Sequence, residues 1–387
     1  MRLYFRWKLF AGFFGFALVV AGVLVVWLLH EASRGQLIPG NAAAENHLRK
    51  SLLHFLSWAL LILAGASIPP ALWIASRLNR PISLLHEGMQ KVASGRLETV
   101  VPHIRTYDEF EPLIDNFNKM VADLRELIQT RLQLQIARDI QRGLLPESAP
   151  CVDGFEIAGA SHPAEEVGGD YFDYVPMRGG RLGLVIGDVV GHGLGSALVM
   201  AATRTCLRSL IASDYNRAEE IMDRANQVLL DSTPDNCFVT LTLLQLDPAT
   251  RVMSYVNCGH VTSYLLDSQG SIKARLSSTA LPLGCLQQFE IEPAPELSLE
   301  TGDMLVMLTD GITEAESPEN RPFGERGALE VVRANLTAPV TEIVRAIHTA
   351  ARKFSQAKSP QDDITSLVVR VGTRGQFTSS SAPPSSA

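Results

Sequence analysis

The chain has 387 residues, with 41 acidic against 34 basic side chains and a formal net charge of −7. That acidity, with no long basic run, argues against nucleic acid as a partner. The five cysteines, Cys151, Cys206, Cys237, Cys258 and Cys285, form no C-x-x-C pair, which fits reduced thiols in a cytosolic domain better than a disulfide frame. Mean hydropathy is slightly positive, at +0.11, and the apolar excess lies at the N-terminus.

Leu9 to Leu29 carries no charge and follows Arg2, Arg6 and Lys8. It is long enough to cross a bilayer and too long for a cleaved signal peptide, with no clear cleavage pattern after it. A second apolar run, Leu52 to Ile74, is flanked by Arg77 and Arg80, and Pro69-Pro70 is expected to kink or unwind it near its end. The outer flanks obey the positive-inside rule, although Arg49 and Lys50 weaken the contrast. Residues 1–78 therefore read as a transmembrane hairpin with spans at about 9–29 and 52–74. The chain is expected to be a multi-pass protein of the cell (inner) membrane with its remaining domains in the cytoplasm. The outer segment, about His30 to Lys50, is too short for a folded sensor domain.

From Pro81 the apolar residues Ile82, Leu85, Met89 and Val92 keep helical spacing, and Ser94-Gly95 ends that helix. A connector, Arg96 to Thr106, precedes a second helix that opens at Asp108-Glu109, with acids at its N-terminus. Phe110, Leu113, Phe117, Met120, Leu124 and Leu127 then alternate steps of three and four, a coiled-coil seam. Helix, connector and helix after a membrane span resemble a HAMP signal-transfer domain, assigned to 79–130. A plain coiled coil would leave the broken first helix and the connector without a role. The HAMP resemblance implies a parallel homodimer. Arg131 interrupts the seam, and Leu132, Ile136, Ile140 and Leu144 then step by four, a phase change that alters coil winding. Residues 131–150 read as a linker helix closed by Leu144-Leu145-Pro146.

Residues 151–372 alternate short strand patterns with helices. Strands are expected at Leu182 to Ile186, Phe238 to Leu246, Val252 to Asn257, Met304 to Leu308 and Ile364 to Val371. Asp247-Pro248-Ala249-Thr250 is a hairpin turn. Helices are expected at Ser196 to Ile211, Ala218 to Leu230, Gly327 to Asn335 and Val340 to Phe354. Without strict β-α-β alternation, the pattern is that of an antiparallel, layered α+β domain. The Ser-, Pro- and Ala-rich end, 373–387, reads as a disordered tail.

The chemistry centres on Gly187-Asp188-Val189-Val190-Gly191-His192-Gly193-Leu194-Gly195-Ser196, where a buried strand runs into a glycine-rich turn and a helix. A dinucleotide loop fails, because the last glycine of G-x-G-x-x-G would fall on Ser196. No phosphate-binding Lys-Ser/Thr pair follows the glycines either. Asp188 has company at other strand ends: Asp170 after Gly168-Gly169, Asp310 before Gly311, and Asp362-Asp363 before the last strand. Gathered like charges are costly unless cations neutralise them. Hard oxygen sites select magnesium or manganese, and two such ions share a water and clamp a phosphoryl group.

Seven motifs occur in order: Glu166-Val-Gly-Gly-Asp170-Tyr-Phe-Asp173, Gly187-Asp188-Val-Val-Gly-His192-Gly, Asn257-Cys-Gly-His260, Leu281-Pro-Leu-Gly284, Gly302-Asp303-Met-Leu, Thr309-Asp310-Gly-Ile-Thr-Glu314-Ala and Gln361-Asp362-Asp363-Ile-Thr365. Together they resemble the SpoIIE/RsbU branch of the PPM-type metal-dependent serine/threonine phosphatases, and Ala137-Arg-Asp-Ile-Gln141-Arg-Gly-Leu-Leu-Pro146 resembles the helix that introduces those domains. The resemblance covers about Leu134 to Val371. It implies a four-layer α-β-β-α sandwich. It implies two Mn2+ or Mg2+ ions on Asp188, the Val189 carbonyl, Asp310 and a terminal aspartate assigned to Asp362, with Asp170 as a further ligand. Asp188 and Asp310 are the catalytic candidates. Asp363, His192, Gly191 and Gly311 are candidates for support of the ligands or contact with substrate. Asp173 and Glu166 are expected to be turn or supporting groups, His260 to fix a loop, and Asp303 to sit in a hairpin turn. The implied activity is hydrolysis of phosphoserine or phosphothreonine on a partner protein, an anti-sigma-factor antagonist, by water activated between the metals. A phosphatase-fold scaffold that binds without catalysing is the alternative, and the aspartates kept at every implied metal position argue against it.

Overall fold

The structure is a computed structural model. It describes residues 42–376 apart from 106–108, 214, 216, 235–236, 288–289 and 357–359, and a few positions between Gly15 and His30; many side chains of 42–78 are also outside the description. The chain separates into two compact units, Met1–Thr130 and Arg131–Ala387.

In the first unit, helix α1 spans Ala42–Ala93. Its backbone stays helical through Pro69-Pro70, so the expected kink does not divide it: a proline removes one ladder hydrogen bond without reversing the chain. Most of the first expected span lies outside the described residues. Among the described residues no helix is long and apolar enough to cross a membrane. The end of α1 is a Schellman cap, with the Arg96 amide bonded to the Lys91 carbonyl and the Gly95 amide to Val92, both at 2.9 Å. Gly95 takes the positive φ, 86°, that this cap requires.

Helix α2 spans Phe110–Leu144, so the expected HAMP and linker helices are one continuous helix across Arg131. Leu85, Val101, Ile114, Phe117 and Val121 form the small core of this unit. Gly88 sits where a Cβ would be 2.6 Å from Val101 and 3.2 Å from Phe117. The Asn118 amide grips the connector at Val101 through both its N–H and its carbonyl, each at 2.9 Å. The expected seam is only partly buried within the single chain. Of its members Phe117 is buried, while Leu113, Met120, Leu124 and Leu127 are exposed. The buried line runs through Ile114, Phe117 and Val121, because α1 and the connector supply the apolar partners on that face.

The second unit is built from two five-stranded antiparallel sheets. One contains β1 (Phe155–His162), β10 (Ile364–Val371), β9 (Met304–Leu308), β6 (Ser263–Leu266) and β7 (Ile272–Leu276), in that order. The other contains β2 (Tyr171–Pro176), β3 (Leu182–Val189), β4 (Val239–Asp247), β5 (Val252–Cys258) and β8 (Leu297–Ser298). Alternation sends Ile157, Leu305 and Leu367 of the first sheet and Phe172, Leu184, Ile186 and Leu244 of the second into one core between them. Helices α3 (Leu194–Ala212) and α4 (Ala218–Ser232) cover the outer face of the second sheet through Met200, Leu207, Ile221 and Leu229. After the short helix α5 (Asp310–Thr313), helices α6 (Gly324–Ala334) and α7 (Val340–Ser355) cover the first through Leu329, Val332, Ile343 and Ile347. The result is a layered α+β sandwich. Thr373 to Gln376 fold back onto it, with the Gly154 amide on the Gln376 carbonyl. The rest of the expected tail lies outside the described residues.

Asp173 is not a turn residue. It lies in β2, fully buried, and accepts two 2.6 Å hydrogen bonds from Arg208 of α3 and one of 2.9 Å from the Tyr171 hydroxyl. Arg204 stands 3.6 Å away. This pair ties α3 to the sheet. Arg208 is partly exposed and Asp173 keeps Arg204, the Tyr171 hydroxyl and the Tyr174 amide, so Arg208→Ala should lower stability by about 1–2 kcal/mol, read as a shift of the urea unfolding transition of this unit.

Candidate active site

Strand pairing puts the acidic residues at one rim. β2 starts at Tyr171 opposite Gly187 near the end of β3, which sets Asp170 beside Asp188. β10 pairs antiparallel with β9, Ser366 opposite Leu308, which sets Asp362 and Asp363 beside Asp310 at the start of α5. The two halves are locked together. The Asp363 carboxylate accepts the amides of Ala164 and Gly169 at 2.7 Å and of Asp170 at 3.3 Å. The buried Thr309 hydroxyl donates to Asp170 Oδ2 at 2.8 Å and accepts the Thr365 amide at 3.0 Å.

Close approach requires glycine at three places. A Cβ on Gly168 would lie 2.1 Å from the Asp363 carboxylate, and one on Gly311 2.0 Å from the Asp363 carbonyl oxygen. On Gly169 it would lie 2.8 Å from the Val189 carbonyl oxygen and 3.0 Å from Asp188 Oδ1. Gly191 takes a φ of 92° on the open loop, where the left-handed region favours glycine. Gln141, near the end of α2, is buried and holds Gly168 by both ends of its amide, donating to the carbonyl at 2.6 Å and accepting from the amide at 3.1 Å. Arg138, one turn earlier, pairs with Glu166 at 3.0 Å.

Electrostatics bind the group into one unit. Burial raises the Asp170 carboxyl well above the usual range, and Asp188 and Asp363 push it further. Asp188 is pushed up to about 8 by burial and then by Asp310, Asp362 and Asp363. Asp310 is raised by burial, Asp362 and Glu314. Asp363 is raised by burial, against which its backbone donors work.

Among the described residues no three carboxylate, imidazole or thiol side chains form a ready cage for an ion. The donor set nevertheless suits a hard cation. Asp170 Oδ1 is buried with no partner, the Val189 carbonyl and Asp188 share the space beside Gly169, and every nearby donor is oxygen. His192 is exposed, with Nδ1 3.2 Å from Glu165. His260 is buried and loop-bound. Its ring meets the Thr240 hydroxyl at 2.9 Å and its amide donates to Asn257 at 2.8 Å, and burial lowers its pKa to about 4. Asp303 is buried in its turn, 2.7 Å from the Lys273 ammonium. Gln141 and Thr309 both stand inside motifs legible in the sequence, which gave neither of them a role.

Residues 178–372 match the family described as Stage II sporulation protein E (SpoIIE), and residues 73–126 match the HAMP domain. The chain belongs to the SpoIIE family, whose fold is that of the PP2C-type phosphatases. It is 28% identical over 366 residues to Protein IcfG of Synechocystis, covering 84% of this chain and 57% of that one. It is 24% identical over 243 residues to the phosphoserine phosphatase RsbU of Bacillus subtilis, covering 62% and 71%. The crystal structure of the RsbU and RsbW domains of Rv1364c from Mycobacterium tuberculosis superposes with a TM-score of 0.52 at 26% identity, covering 60% and 64%. The chain thus spans little more than half the length of its IcfG relative.

Two outcomes follow from this geometry. Asp363→Ala removes the acceptor of three amides around Asp170, so Mn2+ affinity measured by calorimetry should fall about 10- to 100-fold. The second concerns pH. An aspartate titrates near 3.8 when unfolded, against about 8 for Asp188 in the fold. A raised carboxyl pKa stabilises the fold fully below the unfolded value, and that contribution is lost as pH rises through about 8. A cation that replaces the proton reverses the loss. The gain in melting temperature on adding Mn2+ to chelator-treated protein should therefore grow from pH 6 to pH 8.5; a gain independent of pH would contradict this.

Proposed function

We propose that this chain is a divalent-cation-dependent phosphatase that hydrolyses phosphoserine or phosphothreonine on a partner protein. The observation that carries the reading is the convergence of Asp170, Asp188, Asp310 and Asp362 from adjacent strand ends of two sheets, within a SpoIIE-family domain. Asp188, Asp310, Asp362, the Val189 carbonyl and Asp170 would hold Mn2+ or Mg2+. When bound, two such cations would activate water for attack on phosphorus and neutralise the phosphate. The chain's own residues do the rest. Thr309 fixes one oxygen of Asp170 and leaves the other free, and Asp363 anchors the loop that carries it. Gly169 keeps the space beside Asp188 open. His192, beside Glu165 on the exposed loop, is a candidate proton donor to the departing serine oxygen. In the family reading the substrate is a phosphorylated anti-sigma-factor antagonist of small α/β fold.

The proposal includes a membrane anchor and a dimer. The uncharged run 9–29 supports the anchor, as do the exposed apolar side chains Val19, Val23, Val26, Leu53, Trp58 and Leu61. Trp27 and Phe55 stack with ring centroids 4.6 Å apart, as two paired spans would. The HAMP match and the exposed line Leu113, Met120, Leu124 and Leu127 support a parallel homodimer.

Hydrolysis of p-nitrophenyl phosphate should require Mn2+ or Mg2+ and vanish in EDTA. Asp188→Asn and Asp310→Asn should each lower kcat by about two to three orders of magnitude while the circular dichroism spectrum stays unchanged. Full activity in EDTA, or in either variant, would refute the metal reading and leave the scaffold alternative in play. For the anchor, an alkaline phosphatase reporter fused after Gly40 should be active outside the cytoplasm, and one fused after Thr373 inactive.

A further inference from the structure

Outside the rim of carboxylates, the second unit has an unusual distribution of apolar surface. Beyond Ile140, the exposed large hydrophobic side chains among the described residues are Val190, Leu194, Leu198, Val228, Leu281 and Leu286. Scattered exposed apolar residues are ordinary; a group confined to one region marks an interaction surface. These six come from neighbouring elements. Val190 follows Asp188 by two residues, and its amide donates to the Phe238 carbonyl at 3.1 Å. Next to Phe238, Val239 exchanges two hydrogen bonds with Leu283, at 2.8 and 2.9 Å, which lays the Leu281 to Leu286 loop alongside. Asn226 of α4 pins the same loop, accepting from the Gly284 amide at 2.8 Å and donating to the Leu286 carbonyl at 3.0 Å. α4, which carries Val228, packs against α3.

α3 adds a second observation. Its charged residues are Arg204 and Arg208, and both turn inward to Asp173. Its exposed positions, Leu194, Leu198, Ala202, Thr205 and Ser209 among them, carry no charge. A solvated helix face normally carries charged side chains. Here Leu194 is 46% and Leu198 63% exposed, on a face that begins beside the candidate active site.

We propose that this surface, Val190, Leu194 and Leu198 with Leu281 and Leu286, is where the phosphorylated protein substrate docks, through an apolar patch next to its phosphoserine. The inference rests on the phosphatase reading and adds the surface that selects the substrate. Continuity with the site identifies the occupant. A protein that delivers a phosphoserine to Asp188 must cover the surface beside Val190 and Leu194.

The test uses full-length protein with Mn2+ and two substrates. One is p-nitrophenyl phosphate, too small to reach the patch. The other is the phosphorylated anti-sigma-factor antagonist of the same genome that wild type dephosphorylates fastest. The variants are Leu198→Asp and Leu286→Asp, both exposed and on different elements. Each should raise KM for the phosphoprotein about tenfold or more, with p-nitrophenyl phosphate kinetics and oligomeric state by light scattering unchanged. Unchanged phosphoprotein kinetics in both variants would overturn the proposal. So would an equal loss on both substrates, which would mean the patch supports the site rather than the partner. A change of oligomeric state would overturn it in favour of a second copy. If wild type hydrolyses neither substrate, the phosphatase reading itself has failed.

Discussion

The second unit is organised around the repulsion of carboxylates that its own topology forces together. Two sheets that pack face to face bring strand ends to a common rim, and here Asp170, Asp188, Asp310, Asp362 and Asp363 occupy those ends. Nothing in the fold removes this repulsion; it is only directed. Asp363 is satisfied by backbone amides and one oxygen of Asp170 by Thr309. Asp170 Oδ1 is left without a partner, and Asp188 and the Val189 carbonyl meet beside Gly169. Under the proposed reading, cations would offset the cost of that repulsion.

That arrangement also explains why so much of the sequence near the rim is glycine. The Asp363 anchor crosses from one sheet to the loop that feeds the other, and backbone must pass within van der Waals contact of carboxylate. Gly168 and Gly311 are set by Asp363, Gly169 by Asp188 and Val189. The glycines and aspartates are thus one device. Adding a methyl to any of the three glycines separates the sheets where the ligands have to converge.

The strand ends were readable in the sequence because the apolar runs before Asp188 and Asp310, and the run after Asp363, are short, β-rich and bounded by turn residues. The two covering helix pairs were readable from their apolar periodicity to within a few residues. What escaped were contacts made across the chain. Gln141 reaches Gly168 over 27 positions, and Thr309 reaches Asp170 over 139; periodicity carries no trace of either. Asp173 lies in a motif that suggests a turn, yet alternation along β2 turns it toward α3 and its arginines. In the first unit the heptad pattern marked a single line on the second helix, from Phe110 to Leu127. The helix that packs against it within the same chain selected Ile114, Phe117 and Val121 over the line through Leu113 and Leu124, a choice that helical spacing alone does not make.

A centre made of aspartates recognises little beyond a phosphate. If the rim holds cations and takes phosphoserine as proposed, its oxygen ligands would treat any phosphorylated serine alike, and discrimination between proteins would come from surface outside the rim. The ion pair at Asp173 bears on that. By drawing both arginines of α3 toward the sheet, it secures the helix that leaves the Asp188 loop, and the fully exposed positions of that helix carry no charge. Charged side chains there would be compatible with the fold and would resist association with an apolar partner. The ion pair on buried Asp173 therefore fixes the position of the helix and bears on the character of the face that it shows beside the site.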